Sequence, residues 1–278
     1  MNAIEVSNLT YTYSDGTLAL KGLSLQVSKG SRVALLGPNG AGKSTLLLHL
    51  NGINLPQKGT VKIFEKEVTK GTEYEIRRNV GLVFQDPDDQ VFATSVWDDV
   101  AFGPLNMNLS KHEIEHRVAD ALNAVGMWEL REKAPHHLSF GQKKRVAIAG
   151  VLAMDPEIIV LDEPTAYLDP RGQEILLSIL EDFHKKGKTL VVATHDMDMT
   201  AEWADSVIII KDGTTLAQGG TDLLGDTSLV QEANLRLPTI SRVFGHFPHF
   251  EGRPLPKTVA EAVDILKNYL GAGKNDLL

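Results

Sequence analysis

Residues 37–45 read GPNGAGKST: three glycines, one lysine and two hydroxyls in nine positions. The spacing fits G-x-x-x-x-G-K-[ST] and directly follows the apolar run RVALLG (32–37). Glycines at Gly37, Gly40 and Gly42, with the small Ala41 between them, let backbone N–H groups around Pro38 and Asn39 curl about phosphate oxygens. A helix starting near Gly42 adds its positive end. Lys43 is expected to reach the β- and γ-phosphates, Ser44 to ligate Mg²⁺, and Thr45 closes the motif. A second run, IIVLDE (158–163), ends in two acids. Asp162 is the expected Mg²⁺ holder through water. Glu163 is the candidate that orients or deprotonates an attacking water. A solvated turn is the plain alternative for this acidic pair. Together with the phosphate loop, the acids point to nucleoside triphosphate chemistry.

Five apolar runs must carry these residues: RVALLG (32–37), VGLVF (80–84), IIVLDE (158–163), LVVATH (190–195) and SVIII (206–210). They are continuous and β-branched rather than alternating, as strands of a parallel sheet read when both faces are covered. Amphipathic stretches lie between several of them, so the class is α/β. Ligands of open α/β sheets gather at the carboxyl ends of the strands. Four runs are followed at once by reactive residues: the Gly37 loop, Gln85, Asp162 with Glu163, and His195.

The first 30 residues alternate between apolar runs and turn signals and predict antiparallel strands. Between Gln85 and Asp155 the strand signal vanishes, which predicts a helical insertion over about 86–155. Within it, Ser110 and Glu113 have capping-box spacing, and Ile114, Val118, Ala121, Leu122 and Val125 repeat at helical period. GQKKRVAIAGVLAMD predicts a second helix. From residue 219 Pro and Gly accumulate, and a small C-terminal domain is expected over 219–278. Its last helix starts at Thr258, with Glu261 at capping-box spacing. Val259, Ala262, Val263, Leu266 and Tyr269 share its apolar face.

Composition narrows the partners. The 278 residues carry a formal charge of -8, which argues against nucleic acid, whose phosphates need clustered Lys and Arg. No cysteine is present, so thiolate metal sites and disulfides are excluded. The N-terminus has no apolar secretory signal, and no apolar run approaches the roughly 18 residues that cross a bilayer. If the protein serves transport, another chain supplies the membrane path. His246 and His249 in GHFPH lack accompanying cysteines or acids and are expected to pack or to face solvent.

LSFGQKKR (138–145) heads the second predicted helix with another small Ser/Gly loop. Ser139 can cap that helix, and Gly141 lets its N-terminus approach an anion. The phosphate loop, LSFGQ, VLDEP and a strand-end His, in this order, resemble the ATP-binding cassette family over roughly residues 1–220. The resemblance implies a P-loop NTPase (RecA-like) core with a mostly parallel sheet, a nucleotide-binding domain over 1–218, and ATP with Mg²⁺ as ligands. It makes 138–142 the signature loop, in which Ser139, Phe140, Gly141 and Gln142 grip the γ-phosphate bound to the opposite subunit of a head-to-tail dimer. The family's usual pattern is L-S-G-G-Q, so Phe140 is a departure. By the same resemblance Tyr13 stacks on adenine, with Tyr11 as the alternative stacker. Gln85 meets Mg²⁺ and the water, His195 is the switch His, and Asp169 belongs to the loop that crosses the dimer. Tyr167 stands where a small residue is usual.

FQDPDDQVFATSVWDDVAFGPLN (84–106) resembles the cassette ATPases of energy-coupling-factor importers, as do 138–166 and the tail. The nearest likeness is to the cobalt-importer ATPase subunit, with nickel and vitamin importers as alternatives. The resemblance implies a homodimer, or a heterodimer with a paralogue, peripheral on the cytoplasmic face of the cell membrane. It also implies a substrate-binding membrane subunit, and a transmembrane coupling subunit that touches Gln85–Trp97. There Asp86, Asp88 and Asp89 with Phe92 and Trp97 are expected to line a groove for a coupling helix, unless the acids are merely a solvated turn. The C-terminal helix either pairs with its copy or docks within its own chain. Two rivals remain. A phosphotransferase leaves LSFGQ and His195 unexplained. A soluble cassette ATPase of repair or translation expects a long coiled coil or a second cassette, and only about fifty residues separate Gln85 from Ser139.

Overall fold

The structure, a computed structural model, describes residues 1–250 and 254–271. β1 (Asn2–Thr12) and β2 (Leu18–Ser28) form an antiparallel hairpin. β3 (Arg32–Leu36) enters a different sheet and runs through the phosphate loop into α1 (Lys43–Leu50). β4 (Lys58–Ile63) returns to pair with β1, and the two-residue β5 (Lys66–Glu67) extends it. α2 (Glu73–Asn79) leads to β6 (Val80–Val83). Three helices follow without a strand between them: α3 (Val96–Asn106), α4 (Lys111–Ala124) and α5 (Phe140–Met154). β7 (Ile158–Asp162), α6 (Pro170–Lys185), β8 (Thr189–Thr194), α7 (Met197–Trp203), β9 (Ser206–Lys211) and β10 (Thr214–Gly219) complete the core. α8 (Thr227–Glu232), α9 (Thr239–Phe244) and α10 (Val259–Gly271) form the tail.

The main sheet has the order β10-β9-β3-β8-β7-β6, parallel except for β10 at the edge. The five predicted strands are its five parallel members. Their continuous apolar character has a simple cause. Ile159, Leu161, Leu190 and Val192 point into a core shared with α3, α4, α5 and α6. Their neighbours Ile158, Val160, Val191 and Ala193 point the other way, against α1 and the antiparallel sheet β2-β1-β4-β5. Both faces are dry, so no polar alternation survives.

The α3–α5 layer is built by caps and stripes. Ser110 Oγ accepts the Glu113 N–H at 3.3 Å, and Ile114, Val118, Ala121, Leu122 and Val125 are buried below it. Ser139 and Gln142 form a reciprocal capping box on α5: Ser139 Oγ accepts the Gln142 N–H, and Gln142 Oε1 accepts the Ser139 N–H.

The 218/219 boundary falls at the end of β10, but the core crosses it. Leu224, Val230 and Ala233 are buried against Ala34, Leu36, Val207 and Ile209 of the sheet and Met197 of α7. Asp198 of α7 accepts from Thr239 N at 2.6 Å and Thr239 Oγ1 at 2.7 Å, which ties α9 down as well. At α10, Thr258 Oγ1 accepts the Glu261 N–H, but the Glu261 carboxylate accepts from Lys257 N rather than from Thr258 N, so the expected box is offset by one residue. Ala262 is buried, whereas Val259, Val263 and Leu266 are 57%, 39% and 49% exposed. The Tyr269 side chain lies outside the described residues.

Candidate nucleotide site

At the carboxyl end of the parallel strands lies a cleft of about 780 Å³. The 38–45 loop forms its floor, Gln85, Asp162, Glu163 and His195 one wall, and Tyr13 and Thr17 of the β1–β2 turn with Leu18 and Ala19 at the start of β2 the other. All four strand-end groups thus meet in one place. Gly42 caps α1 with φ 103°, in the left-handed region, and a β-carbon there would stand 2.9 Å from Leu20 Cδ2. Only glycine suits both demands. Gly37 does not line the cleft; its carbonyl accepts from Lys43 Nζ at 2.6 Å, and the Pro38 carbonyl does so at 3.2 Å. The Lys43 ammonium therefore rests on carbonyls of its own loop. Burial lowers its pKa, while Glu163 and Asp162 pull it upward.

Asp162 and Glu163 are almost fully buried. Burial pushes the Asp162 carboxyl above its usual value, and a hydrogen bond with Ser44 opposes that. Glu163 sits at φ 43°, a left-handed conformation rare outside glycine, which turns its side chain out of the strand's alternation. Its carboxylate has two neighbours: His195 Nδ1 at 2.9 Å and Thr194 Oγ1 at 3.4 Å. The His195 ring is 71% exposed and the Glu163 side chain 8%, so the pair spans from solvent to the cleft wall.

The donors fit Mg²⁺. A hydroxyl (Ser44), a carboxylate (Asp162) and an amide (Gln85) border one cleft, and no cluster of three His, Cys, Asp or Glu competes among the described residues. Few, hard oxygen donors leave room for water and phosphate oxygens, which is how Mg²⁺ is usually held.

Tyr13 borders the cleft and its hydroxyl is 2.9 Å from Thr45 Oγ1. Tyr11 does not border it. Its ring packs edge-on against Tyr13 and buried His49, at 5.1 and 4.6 Å between centroids. The structure therefore presents Tyr13, not Tyr11, to a ligand.

Ser139, Phe140, Gly141, Gln142 and Asp169 stand outside this cleft. They gather elsewhere. Phe140 meets Tyr167 at 4.9 Å between ring centroids, so the two departures from the family pattern touch each other. Leu168 reaches within 3.6 Å of where a Gly141 β-carbon would project. Asp169 caps α6 by accepting the Gly172 N–H at 2.8 Å. Tyr167 also borders the cleft, and so stands between it and the Ser139 loop.

Beside Gln85 runs a second, smaller groove of about 350 Å³, bordered by Arg77, Phe84, Asp89, Phe92, Asp99 and Phe102 among others. Asp86 does not reach it; it caps the turn at 87–89 by accepting the Asp88 N–H. Asp88 is taken by Lys143 Nζ at 2.6 Å. Trp97 packs on Trp128 instead. Of the five groove residues expected there, Asp89 and Phe92 take the place. His246 is exposed, and the His249 side chain lies outside the described residues.

Thr17, Leu18, Ala19, Ala166 and Thr194 escaped the sequence reading. None belongs to a short motif; each arrives through strand pairing or as neighbour of a motif residue.

The ABC transporter family model matches residues 20–166. The energy-coupling factor transporter ATP-binding protein EcfA of Carboxydothermus hydrogenoformans is 52% identical over 269 residues, 96% of this chain and 98% of the relative. Among solved structures, cbiO1 of Clostridium perfringens, described as part of the ABC transporter complex cbiONQ, superposes with a TM-score of 0.73 at 43% identity. That likeness covers 88% of this chain and 99% of the other. A dimeric ATP-binding cassette in a post-hydrolysis state with ADP and Pi superposes with a TM-score of 0.72 at 31% identity, covering 78% of this chain and 98% of the other. Among the described residues, no helix is long and apolar enough to cross a membrane.

Proposed function

Because this chain belongs to the ABC transporter family, as the ATP-hydrolysing subunit of an energy-coupling-factor transporter, we propose that two such subunits close head to tail on two ATP molecules and drive uptake of a transition-metal ion, with cobalt as the cargo. One observation carries the dimer: the Ser139 loop heads α5 with a capping box that uses the Ser139 and Gln142 N–H groups and not those of Phe140 and Gly141, yet it does not border its own chain's cleft. An N-terminus ready for an anion, with none of its own to hold, calls for a second chain. Residues 84–106, 138–166 and the tail resemble energy-coupling-factor ATPases in general; the choice of cobalt rests on the likeness of the chain to the cobalt-importer ATPase subunit, with cbiO1 among its structural neighbours.

Tyr13 provides the adenine platform, and the 38–45 backbone holds the phosphates. Lys43 has carbonyl partners that phosphate oxygens outcompete, since a phosphate sets a full negative charge against the ammonium where a carbonyl offers only a dipole. Ser44, Asp162 and Gln85 would hold Mg²⁺, which when bound neutralises charge on the phosphates. Glu163, steadied by Thr194 and His195, takes the proton of the attacking water, a contribution of ~10²–10⁴-fold in rate. Swinging a closure equilibrium from 1:99 to 99:1 needs about 5.5 kcal/mol of differential binding. Bonds from two signature loops to two γ-phosphates are a sufficient source.

The groove at Asp89 and Phe92 is the seat for a coupling helix of the membrane partner. The exposed Val259, Val263 and Leu266 of α10 are the contact for a second copy between cycles. The whole complex sits peripherally at the cytoplasmic face of the membrane. Purification of the chain from native membranes with its partners, followed by reconstitution in vesicles, tests the cargo. ATP-dependent accumulation of Co²⁺ is expected. Accumulation of Ni²⁺ or a vitamin instead, or an exporter domain as the partner, contradicts the reading.

A further inference from the structure

Lys144 is the largest side chain in the core with no exposed surface. It sits in the first turns of α5, two residues past the Ser139–Gln142 cap, among Val146, Ala147 and Ile148. Its Nζ donates to two successive main-chain carbonyls, Phe84 at 2.9 Å and Gln85 at 2.7 Å. Burying an ammonium is costly, and a residue serving only to fill space would be apolar. Burial lowers its pKa to about 8, against the pull of Asp162, Asp86 and Glu163.

The segment that Lys144 holds is the exit of β6. Its other supports are also side chains. Gln90 Nε2 donates to the Leu82 carbonyl and Gln90 Oε1 accepts the Phe84 N–H, each at 3.0 Å. Lys143 pairs with Asp88. Two consecutive lysines of α5 thus grip both ends of a loop whose Gln85 borders the nucleotide cleft. The Lys143 pair is partly exposed and worth little in isolation. The Lys144 side chain has no exposed surface, so its two bonds are shielded from the lysine side, and removing the donor leaves two partly buried carbonyls without it.

We propose that Lys144 is the positioning residue that fixes the Gln85 main chain to the helix headed by the Ser139 loop, so that Gln85 stands in the cleft only while α5 keeps its present orientation. The inference rests on the reading of Gln85 as acting at the nucleotide. Movement of α5 is then delivered to Gln85 through two hydrogen bonds, without any contact between Lys144 and ATP.

A double-mutant cycle on purified protein tests this. Steady-state ATPase activity is measured for the wild type, Lys144→Met, Gln85→Ala and the double variant, with thermal melting of each. Lys144→Met is expected to lower kcat by ~10-fold or more while KM for ATP changes less than about 3-fold. Gln85→Ala alone is expected to lower kcat, and adding Lys144→Met to it to change kcat by less than about 2-fold, because the second loss acts through the first. Multiplying losses, or a Lys144→Met variant with kcat within about twofold of wild type, overturn the proposal. Should Lys144→Met not fold, Lys144→Ala, which also removes the donor, takes its place in the same cycle with the same outcomes deciding. If Gln85→Ala alone leaves kcat unchanged, it is the reading of Gln85 that has failed.

Discussion

Tyr11 lies near the end of β1 and Tyr13 just past it, and what separates them is where each ring goes. Tyr13 borders the cleft with its hydroxyl on Thr45, while Tyr11 is wedged against His49. Base stacking on an aromatic is worth about 1–3 kcal/mol. Tyr13→Ala should therefore weaken ATP binding by ~5–150-fold in a nucleotide titration, with little loss of melting temperature. Tyr11→Ala should do the reverse. Equal effects on affinity would remove Tyr13 from its role. Residues of the phosphate loop, Asp162, Glu163 and His195 were all legible in the sequence because each lies within a few positions of a strand end, and local order there dictates geometry. Lys144 was not. It reads as one more charge in QKKR, and only the crossing of α5 over the exit of β6 shows that this lysine, unlike Lys143, is sealed from water.

Among the elements, the five parallel strands were legible because burial on two faces leaves an unbroken apolar signature. β4 (KGTVKI) and β10 (TTLAQG) were not picked out. Each alternates or turns polar, since one side meets solvent; β4 depends besides on β1, distant in sequence, whereas β10 folds straight back on β9. The junction of β3 with the start of β9 is a case where a charge fixes an element. Arg32 pairs with Asp205 at 2.7 Å and with Glu181 of α6 at 3.0 Å. Burial alone would raise the Asp205 pKa, but hydrogen bonds and charge from Arg32 outweigh it and hold the carboxyl below its usual 3.8. A depressed folded-state pKa gives stability that is present above the unfolded value and is lost as pH falls through the folded one. Asp205→Asn should thus lower unfolding free energy at neutral pH. The gap from wild type should close as pH drops below about 3.8, measured by denaturant unfolding across pH. A gap that persists at low pH would show that the pair is not the cause. α10 is the opposite case. Its apolar stripe was legible, but not what covers it, and within one chain Val263 and Leu266 are 39% and 49% exposed. Val263→Glu with Leu266→Glu should abolish association without nucleotide and leave the melting temperature unchanged. A fall in melting temperature would mean that the stripe docks on its own chain.

For the molecule as a whole, the core extends beyond the nucleotide-binding unit read from the sequence, since residues 224–233 seal one face of its sheet. The composition change at 219 reflects turns and proline rather than a break in packing, which is why it invited a boundary there. The same scale governs function. One chain carries a complete cleft and a complete Ser139 loop, but in different places, and the contact of Phe140 with Tyr167 joins that loop to the rim of the cleft. Glu163→Gln keeps the size and polarity of the side chain and removes the base, so turnover should fall by ~10²–10⁴-fold while binding is retained. The direct test of the shared site is sedimentation of that variant, carrying Val263→Glu and Leu266→Glu as well so that α10 no longer holds two copies together, with and without saturating Mg-ATP. A shift from monomer to dimer that requires ATP and is reversed by ADP is the predicted result. A variant that binds ATP fully and remains monomeric, alone and with its membrane partners, would contradict the account.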